Sequence, residues 1–355
     1  MFKWSKVLFA GLLSTATLLP AIQTSAAEAK PSVIRFASPM VGTGNRPVGY
    51  GNYYATAQTL GLFEKEFQKD GIKVQWNNFK GAGPAINESY ANGLVDITWI
   101  GDLPGLIGKA SRLDTKLVAM AGSQDNTYLV VAPGSPAKSI ADLKGKRIGF
   151  FKGTNLHLSI INVVKKYGFS EKDFRFVNMD GPVAYSALAS GDIDAIWSSS
   201  YIFPVVDRGI AKIIYSTKNE PDLYKTSGYV LVNSKFEQKY PEVVQRVVNV
   251  LVKQAAWESK PANKDALFKL WAKSGISYSN INKAHIGVDL KRHSAPIFDA
   301  YNVSLIKQKL KAGQDLKLIR GNIDVDSWIE PKYVNNALKT LNLQNYWKPL
   351  NANGQ

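Results

Sequence analysis

The chain has 355 residues, of which 45% are hydrophobic and 20% are charged, so we expect a globular protein of two domains and exclude disordered, collagen-like and coiled-coil classes. The formal net charge of +16 favours small anions as ligands, while the lack of basic runs argues against a nucleic-acid partner. The absence of cysteine excludes disulfides, cysteine-ligated metals and thiol nucleophiles.

Residues 1–27 have the pattern of a secretory signal peptide. Lys3 and Lys6 precede an apolar stretch from Val7 to Ile22, and the small residues Ser25 to Ala27 suit a cleavage site. A membrane anchor is disfavoured because polar residues interrupt this short apolar stretch. Without a cysteine for lipid attachment, we expect a soluble periplasmic protein that is not lipid-anchored.

After the signal peptide, apolar strands alternate with helices. The predicted strands are Val33 to Ala37, Lys73 to Phe79, Asp96 to Ile100 and Lys116 to Ala121. The other predicted elements are a glycine-rich loop from Val41 to Gly51, a helix ending near Lys69, and helices Pro84 to Asn92 and Leu103 to Ser111. This alternation implies parallel strand pairing in βαβ units.

The same order begins again in a second series. Its predicted elements, alternately strand and helix, are Arg147 to Phe151, Leu156 to Tyr167, Phe174 to Asn178, Val183 to Ala189, Asp194 to Trp197, Tyr201 to Arg208 and Lys212 to Tyr215. The segment GPAINESYANGLVDITW, which ends at Trp99, aligns without a gap with GPVAYSALASGDIDAIW, which ends at Trp197. Helix-capping preferences explain the shared glycine and aspartate but not both tryptophans, so we predict two lobes built on one plan.

The predicted fold class is therefore α/β, with two lobes that each contain a mainly parallel sheet flanked by helices and with a cleft between them. Asn126 to Ala132 and Gly228 to Val232 are the expected crossings between lobes. The predicted domains are 31–126 with 228–320 for lobe 1, 127–227 for lobe 2, and 321–355 as a C-terminal helix and tail that pack on lobe 1.

The sequence contains no motif typical of catalysis. A GxSxG elbow, a P-loop and an HExxH helix are all absent. The three histidines, His157, His285 and His293, do not have the spacing of metal ligands. We therefore expect neither an enzyme nor a bound metal or cofactor.

Loops at the carboxyl ends of the predicted strands contain the candidate ligand-binding residues, because open parallel sheets bind ligands there and helix N-termini favour anions. The alternative is that these residues serve turns and helix caps, which is the better explanation for Asp102. A lone histidine is usually structural, but the loop that contains Thr154, Asn155 and His157 collects enough donors to favour binding. The candidates are Gly44, Asn45, Gly83, Trp99, Gly101, Asp102, Thr154, Asn155, His157, Trp197, Ser198, Ser199, Tyr201 and Gly228.

Four segments resemble the aliphatic sulfonate, taurine and nitrate binding proteins of ABC importers: AGPAINESYANGLVDITWIGDLP, DLKGKRIGFFKGTNLH, ALASGDIDAIW and IDVDSWIEP. The resemblance extends from about Val33 to Leu338. It implies a type II periplasmic binding-protein fold that closes by hinge motion, a small anionic solute as ligand and an inner-membrane ABC permease as partner. It also implies the positions that line the cleft: Thr154, Asn155 and His157, with Gly101 and Asp102 facing them.

One departure from the family pattern bears on the ligand. Many members follow the second-lobe tryptophan with an acidic residue and a proline, whereas here Trp197 is followed by Ser198, Ser199, Ser200 and Tyr201. Neutral hydroxyls suit an anion without an amine, which favours a sulfonate or sulfate ester over taurine. Nitrate or bicarbonate, a thiamine-precursor pyrimidine and a periplasmic sensor role remain open alternatives. A pyrimidine synthase of this fold would need a cysteine-rich iron site. We expect a monomer.

Overall fold

The computed structural model describes Met1, residues 30–41 and residues 49–355. The predicted signal peptide, apart from Met1, and the candidate residues Gly44 and Asn45 lie outside the described residues. The strands are β1 (Val33–Ser38), β2 (Lys73–Asn78), β3 (Ile97–Gly101), β4 (Thr115–Met120), β5 (Tyr128–Val131), β6 (Arg147–Phe150), β7 (Arg175–Asn178), β8 (Ala195–Ser198), β9 (Lys212–Ser216) and β10 (Gly228–Asn233).

The helices of the first two thirds of the chain follow the strands closely. They are α1 (Tyr53–Thr59), α2 (Leu62–Phe67), α3 (Ala82–Ala91), α4 (Asp102–Ala110), α5 (Asn155–Lys166), α6 (Gly181–Ser190) and α7 (Phe203–Asp207). The remaining chain is helical: α8 (Ser234–Lys239), α9 (Pro241–Glu258), α10 (Lys264–Ala272), α11 (Tyr278–Ala284), α12 (Leu290–His293), α13 (Ala300–Asp315), α14 (Val325–Trp328) and α15 (Lys332–Thr340). None of the described helices combines the length and apolar content needed to cross a bilayer.

Among the described residues, the strands form two five-stranded sheets with equivalent topology. The first has the order β2-β1-β3-β10-β4, and the second has the order β7-β6-β8-β5-β9. In each sheet four strands run in one direction, while β10 or β5 runs antiparallel to both of its neighbours. The predicted α/β fold of two lobes with mainly parallel sheets is confirmed.

The sequence repeat corresponds to one structural device used twice. Asp96 accepts hydrogen bonds from the backbone N–H and the guanidinium of Arg35 at distances of 2.5–3.0 Å. Asp194 accepts from the backbone N–H of Arg147 at 2.8 Å and from its guanidinium at 3.4 Å. Each aspartate thereby fixes the loop before a central strand to the first residues of the neighbouring strand. This pairing explains why the repeat retains an aspartate at the same position.

Both faces of the first sheet are covered by helices. Phe36 and Tyr54 belong to a core under α1, α2, α9 and α15, and Ile100 and Tyr229 belong to a second core under α3, α4, α13 and α14. Burial on both faces explains why the central strands are continuous apolar runs rather than alternating ones. Trp271 anchors a smaller cluster within the C-terminal helices.

Two chain segments connect the sheets and run side by side. Residues 121–127 lead from β4 to β5, and residues 217–227 lead from β9 to β10. They pair through Asp125 and Thr226, whose backbone groups exchange hydrogen bonds of 3.1 and 2.9 Å. The ranges predicted as crossings, Asn126 to Ala132 and Gly228 to Val232, are mostly the strands that follow these segments.

Candidate functional site

A cavity of about 690 Å³ lies between the carboxyl ends of strands from the two sheets. The walls come from the ends of β3 and β8, from the starts of α3, α5 and α6, and from both connecting segments. The volume falls within the range of 300–1,000 Å³ typical of small-molecule sites. The cavity therefore occupies the position at which open α/β sheets bind ligands.

Most of the residues selected from the sequence line this cavity. They are Gly83, Trp99, Gly101, Thr154, Asn155, Trp197, Ser198, Ser199, Tyr201 and Gly228. Asp102 and His157 lie outside its lining, although both follow lining residues in the chain. A ligand role for individual residues of this set stays a prediction.

The N-terminus of α5 presents unused donors to the cavity. Thr154 is the residue before the helix, and its hydroxyl donates to the carbonyl of Phe151 at 2.8 Å instead of capping the helix. The Asn155 side-chain oxygen accepts from the N–H of Leu156 at 3.0 Å, so the side-chain amide nitrogen takes no part in this bond. Within the described part of the chain, no acceptor bonds the backbone N–H of Thr154 or Asn155. Such free groups at a helix N-terminus favour an anion.

The N-termini of α4 and α6 are already occupied by carboxylates of the protein. Asp180 precedes α6, and its side chain accepts from the N–H of Val183 at 3.1 Å. Asp102 begins α4, and its side chain accepts from the N–H of Leu103 at 2.7 Å. These carboxylates neutralise the positive ends of α4 and α6. The N-terminus of α5 is therefore the most favourable of the three helix N-termini for an external anion.

Asp102 lies outside the cavity lining, and its carboxylate is engaged by other groups of the protein. Its second oxygen accepts from the N–H of Ser227 at 2.9 Å and from the ammonium of Lys309 on α13 at 2.5 Å. The side chains of Asp102 and Lys309 are each only 1% exposed. Lys309 also donates to the carbonyl of Lys225 at 3.0 Å, so this ion pair joins α4, α13 and a connecting segment.

His157 is likewise buried behind the cavity rather than in it. Its ring packs against Phe150, with the ring centroids 5.0 Å apart, and its Nδ1 accepts weakly from the N–H of Gly153 at 3.4 Å. Burial, helped by the charge of Lys152, lowers the pKa of His157 to about 4. The imidazole is therefore neutral near pH 7 and adds no positive charge to the site.

The two lobes touch at the edge of the cavity. A Cβ atom at Gly101 would lie 2.8 Å from the Cβ of Asn155, and one at Gly153 would lie 3.2 Å from the Cγ of Pro84. On another side, the hydroxyl of Tyr50 lies 2.9 Å from that of Ser200. The absence of side chains at Gly101 and Gly153 thus lets the α5 N-terminus approach the first sheet closely.

Ionisable groups cluster where the cavity meets the connecting segments. The imidazole of His293 lies 3.1 Å from the carboxylate of Asp125. Burial opposes charge on His293, but the attraction of Asp125 and the charge of Glu258 outweigh it and raise the pKa of His293. Burial, with the nearby His293, lowers the pKa of His285 to about 4. Protonation of His293 partly neutralises Asp125, and it would then reduce the repulsion of an anion in the cavity.

Glu258 at the end of α9 provides a test of this cluster through the pH dependence of stability. Complete burial raises its pKa from 4.5 to about 7, so the folded protein holds this proton more tightly than the unfolded chain. The free energy of unfolding should consequently fall as pH rises from about 4.5 to about 7. Glu258→Gln imitates the protonated acid, and we expect it to stabilise the protein at pH 8 by about 1 kcal/mol and to have little effect near pH 5.

Urea unfolding of both proteins at pH 5 and pH 8 measures this difference. Glu242→Gln, at an exposed position on the same helix, controls for the change of side chain. A destabilised Glu258→Gln protein at pH 8 would mean that the ionised carboxylate is the stabilising form.

Several residues that line the cavity were not selected from the sequence. They are Tyr50, Asp125, Tyr128, Tyr185, His285 and His293. Asp125 and Tyr128 were within reach of prediction, because Asp125 directly precedes the expected crossing Asn126 to Ala132 and Tyr128 lies within it. His285 and His293 come from the C-terminal helices, where no strand end marks the position of a cleft.

Comparisons with known proteins give a family and several named relatives. A family model described as NMT1/THI5 like matches residues 51–264. A protein of Bacillus subtilis (strain 168), provisionally named an aliphatic sulfonates-binding protein, is 27% identical over 293 residues, which cover 80% of this chain and 84% of that protein.

Solved structures with a similar fold include proteins described as sulfonate-binding. A crystal structure from Methylobacillus flagellatus KT, provisionally described as the periplasmic sulfonate-binding protein SsuA of a sulfonate ABC transporter, has a TM-score of 0.77 and 33% identity, and the match covers 92% of this chain and 99% of that one. The alkanesulfonate-binding protein SsuA from Xanthomonas axonopodis pv. citri, bound to MOPS, has a TM-score of 0.70 and 21% identity over 85% of this chain and 99% of that one. At that lower identity the likeness shows the fold alone.

Proposed function

The chain belongs to the NMT1/THI5-like family, and from this premise we propose that it is the periplasmic substrate-binding component of an ABC importer that captures a small organosulfur anion. The ligand would be a sulfonate or sulfate ester held in the cavity between the lobes. We further propose that the lobes comprise 31–126 with 228–320, and 127–227, with residues 321–355 packed on the first. The protein would deliver its ligand to a permease without chemical turnover.

The observation that carries this proposal is the open N-terminus of α5 in the cavity. The free N–H groups of Thr154 and Asn155 match the needs of a tetrahedral oxyanion. We expect Ser198 and Ser199, at the end of the neighbouring strand β8, to donate as well, since Ser200 is engaged with Tyr50. The relatives named as sulfonate-binding proteins support the same ligand class.

Aromatic walls and the carboxylate of Asp125 make a pyrimidine the second candidate, because a neutral heterocycle could stack on the rings and donate to the acid. Nitrate and bicarbonate fit less well, since either would leave most of a cavity of about 690 Å³ unfilled. The two candidates differ in charge, so added negative charge at the α5 N-terminus should weaken binding of the anion and have little effect on a neutral pyrimidine.

A thermal-shift panel tests the proposal. We expect alkane- and arylsulfonates or sulfate esters to stabilise the protein by about 2.7 kcal/mol at 100 times their Kd, with weaker or no shifts for nitrate, bicarbonate and taurine. Asn155→Asp retains the oxygen that accepts from Leu156 but adds a carboxylate beside the anion. We expect it to weaken anion binding at least tenfold, which is about 1.4 kcal/mol, in calorimetric titrations.

Asn178→Asp is the matched control, because the Asn178 oxygen also accepts a backbone N–H, from Lys152 at 2.9 Å, and Asn178 lies outside the lining of the cavity. This variant should bind the anion as the unmodified protein does. A pyrimidine that stabilises the protein while every anion fails would contradict the proposal, as would an anion that binds Asn155→Asp with unchanged affinity.

A further inference from the structure

Five aromatic side chains of the cavity form a surface that we call the aromatic wall: Tyr50, Trp99, Tyr128, Tyr185 and Tyr201. Trp99 belongs to β3 of the first sheet, whereas Tyr128 belongs to β5 of the second sheet and Tyr185 to α6, so the wall includes rings from both lobes. Apolar side chains such as Met40 and Met179 complete the same region. A ligand that fills the cavity therefore meets aromatic carbon over much of its surface.

The tyrosine hydroxyls of this wall are largely occupied by the protein. The hydroxyl of Tyr50 lies 2.9 Å from that of Ser200. Tyr185 donates to the carbonyl of Tyr201 at 3.2 Å, and Tyr201 in turn donates to the sulfur of Met40 at 3.7 Å. Because these polar atoms are already bonded, the rings offer their faces and C–H edges to a ligand.

The rings are also held in fixed orientations by their neighbours. Tyr50 packs edge-to-face on Tyr201 at 5.5 Å and on Trp271 at 5.4 Å between ring centroids. Tyr128 packs on Phe203 at 4.8 Å. A rigid arrangement of this kind suits flat, rigid ligands, because neither partner loses much conformational freedom when they associate.

The size of the cavity also favours a ligand with a large tail. An oxyanion head at the α5 N-terminus would occupy a small part of about 690 Å³, so a substantial tail is needed to displace the remaining water. We propose that the cavity selects anions with aromatic tails, arylsulfonates or aryl sulfate esters, over alkyl anions of equal carbon number. This inference rests on the proposed function and specifies its substrate class.

A set of ligands with one head group and six-carbon tails separates the contributions to selectivity. Benzenesulfonate, cyclohexanesulfonate and hexane-1-sulfonate share the sulfonate and differ in aromaticity and flexibility. We expect calorimetric titration to give benzenesulfonate at least tenfold tighter binding than hexane-1-sulfonate, with cyclohexanesulfonate between them. Naphthalene-2-sulfonate should bind more tightly than benzenesulfonate, because its second ring reaches more of the aromatic wall.

Variants locate the preference on the wall. Tyr201→Leu removes a ring but keeps an apolar side chain, and it should reduce the ratio of benzenesulfonate to hexane-1-sulfonate affinity at least threefold. Tyr201→Phe keeps the ring and should retain the ratio. Tyr167→Leu, in an exposed position outside the lining of the cavity, is the control for the substitution itself. If Tyr201→Leu does not fold, the ligand series on the unmodified protein decides alone.

The outcomes distinguish this inference from the proposed function. Equal binding of the three six-carbon sulfonates, within threefold, would overturn the aromatic preference and leave the proposed function standing. Failure of every sulfonate would overturn both. Binding of 2-naphthol as tightly as naphthalene-2-sulfonate would mean that the head group contributes nothing, which contradicts the proposed function.

Discussion

Replacing Lys309 with methionine is expected to lower the free energy of unfolding by about 3–5 kcal/mol. Methionine retains the apolar stem of the side chain but removes the ammonium that lies 2.5 Å from the carboxylate of Asp102. The carboxylate would remain in a site where it is 1% exposed, with Ser227 and Leu103 as its remaining donors. An uncompensated buried charge of this kind is one of the costliest defects that a single substitution creates.

The same helix offers a matched control. Lys307 pairs with Asp326 at 2.8 Å, but these side chains are 48% and 69% exposed. Lys307→Met should therefore cost less than about 1 kcal/mol. The double variant Asp102→Asn with Lys309→Met should recover part of the loss, because it leaves no buried charge.

Urea unfolding of the four proteins measures these differences. A loss for Lys309→Met as small as that for Lys307→Met would mean that water reaches the Asp102 carboxylate. An unrecovered double variant would instead assign the loss to packing rather than to charge.

The ion pair also illustrates what sequence patterns could not predict. Asp102 lies between a predicted strand and a predicted helix that starts at Leu103, so its location at a helix N-terminus was predictable. Lys309 is 207 residues away on a helix with no local signal for burial. Without knowledge of that partner, Asp102 could be read only as a helix cap or a ligand group.

The fold was more predictable because its signals are local and repeated. The two tryptophans of the repeat, Trp99 and Trp197, occupy equivalent positions on β3 and β8, and both line the cavity. The family resemblance that these segments carry is confirmed by the matching family model and relatives. Strand ends therefore located much of the cavity, while the contributions of His285 and His293 depended on how the C-terminal helices fold back.

The burial of His157 shows that neighbouring residues of one loop cannot all be assigned to the same surface. Thr154 and Asn155 line the cavity, but His157 is the third residue of α5 and its ring packs in the interior beside Phe150. Successive helix residues point about 100° apart, so neighbours in a sequence need not share a surface. The donors at the N-terminus of α5 are uncharged backbone N–H groups, which makes their geometry more important than their number.

That geometry depends on Gly101, and Gly101→Ala is expected to weaken sulfonate binding at least tenfold, which is about 1.4 kcal/mol. The new Cβ would lie 2.8 Å from the Cβ of Asn155 and 3.5 Å from its backbone nitrogen. Neither atom is the flexible end of a side chain, so the α5 N-terminus must move away from β3. The backbone of Gly101, with φ −64° and ψ 159°, is acceptable for alanine, so the conflict arises from the contact between lobes.

This contact can be relieved by a small separation of the lobes, because Gly101 ends a strand of the first sheet and Asn155 begins the helix that follows β6 of the second sheet. We therefore expect Gly101→Ala to melt within a few degrees of the unmodified protein without ligand and to lose much of the stabilisation by benzenesulfonate. Gly134→Ala is the control, since a Cβ at Gly134 meets no atom within 4 Å. A large drop in melting temperature without ligand would instead mean that the close approach of Gly101 and Asn155 holds the fold together, and that anion binding uses an interface already formed.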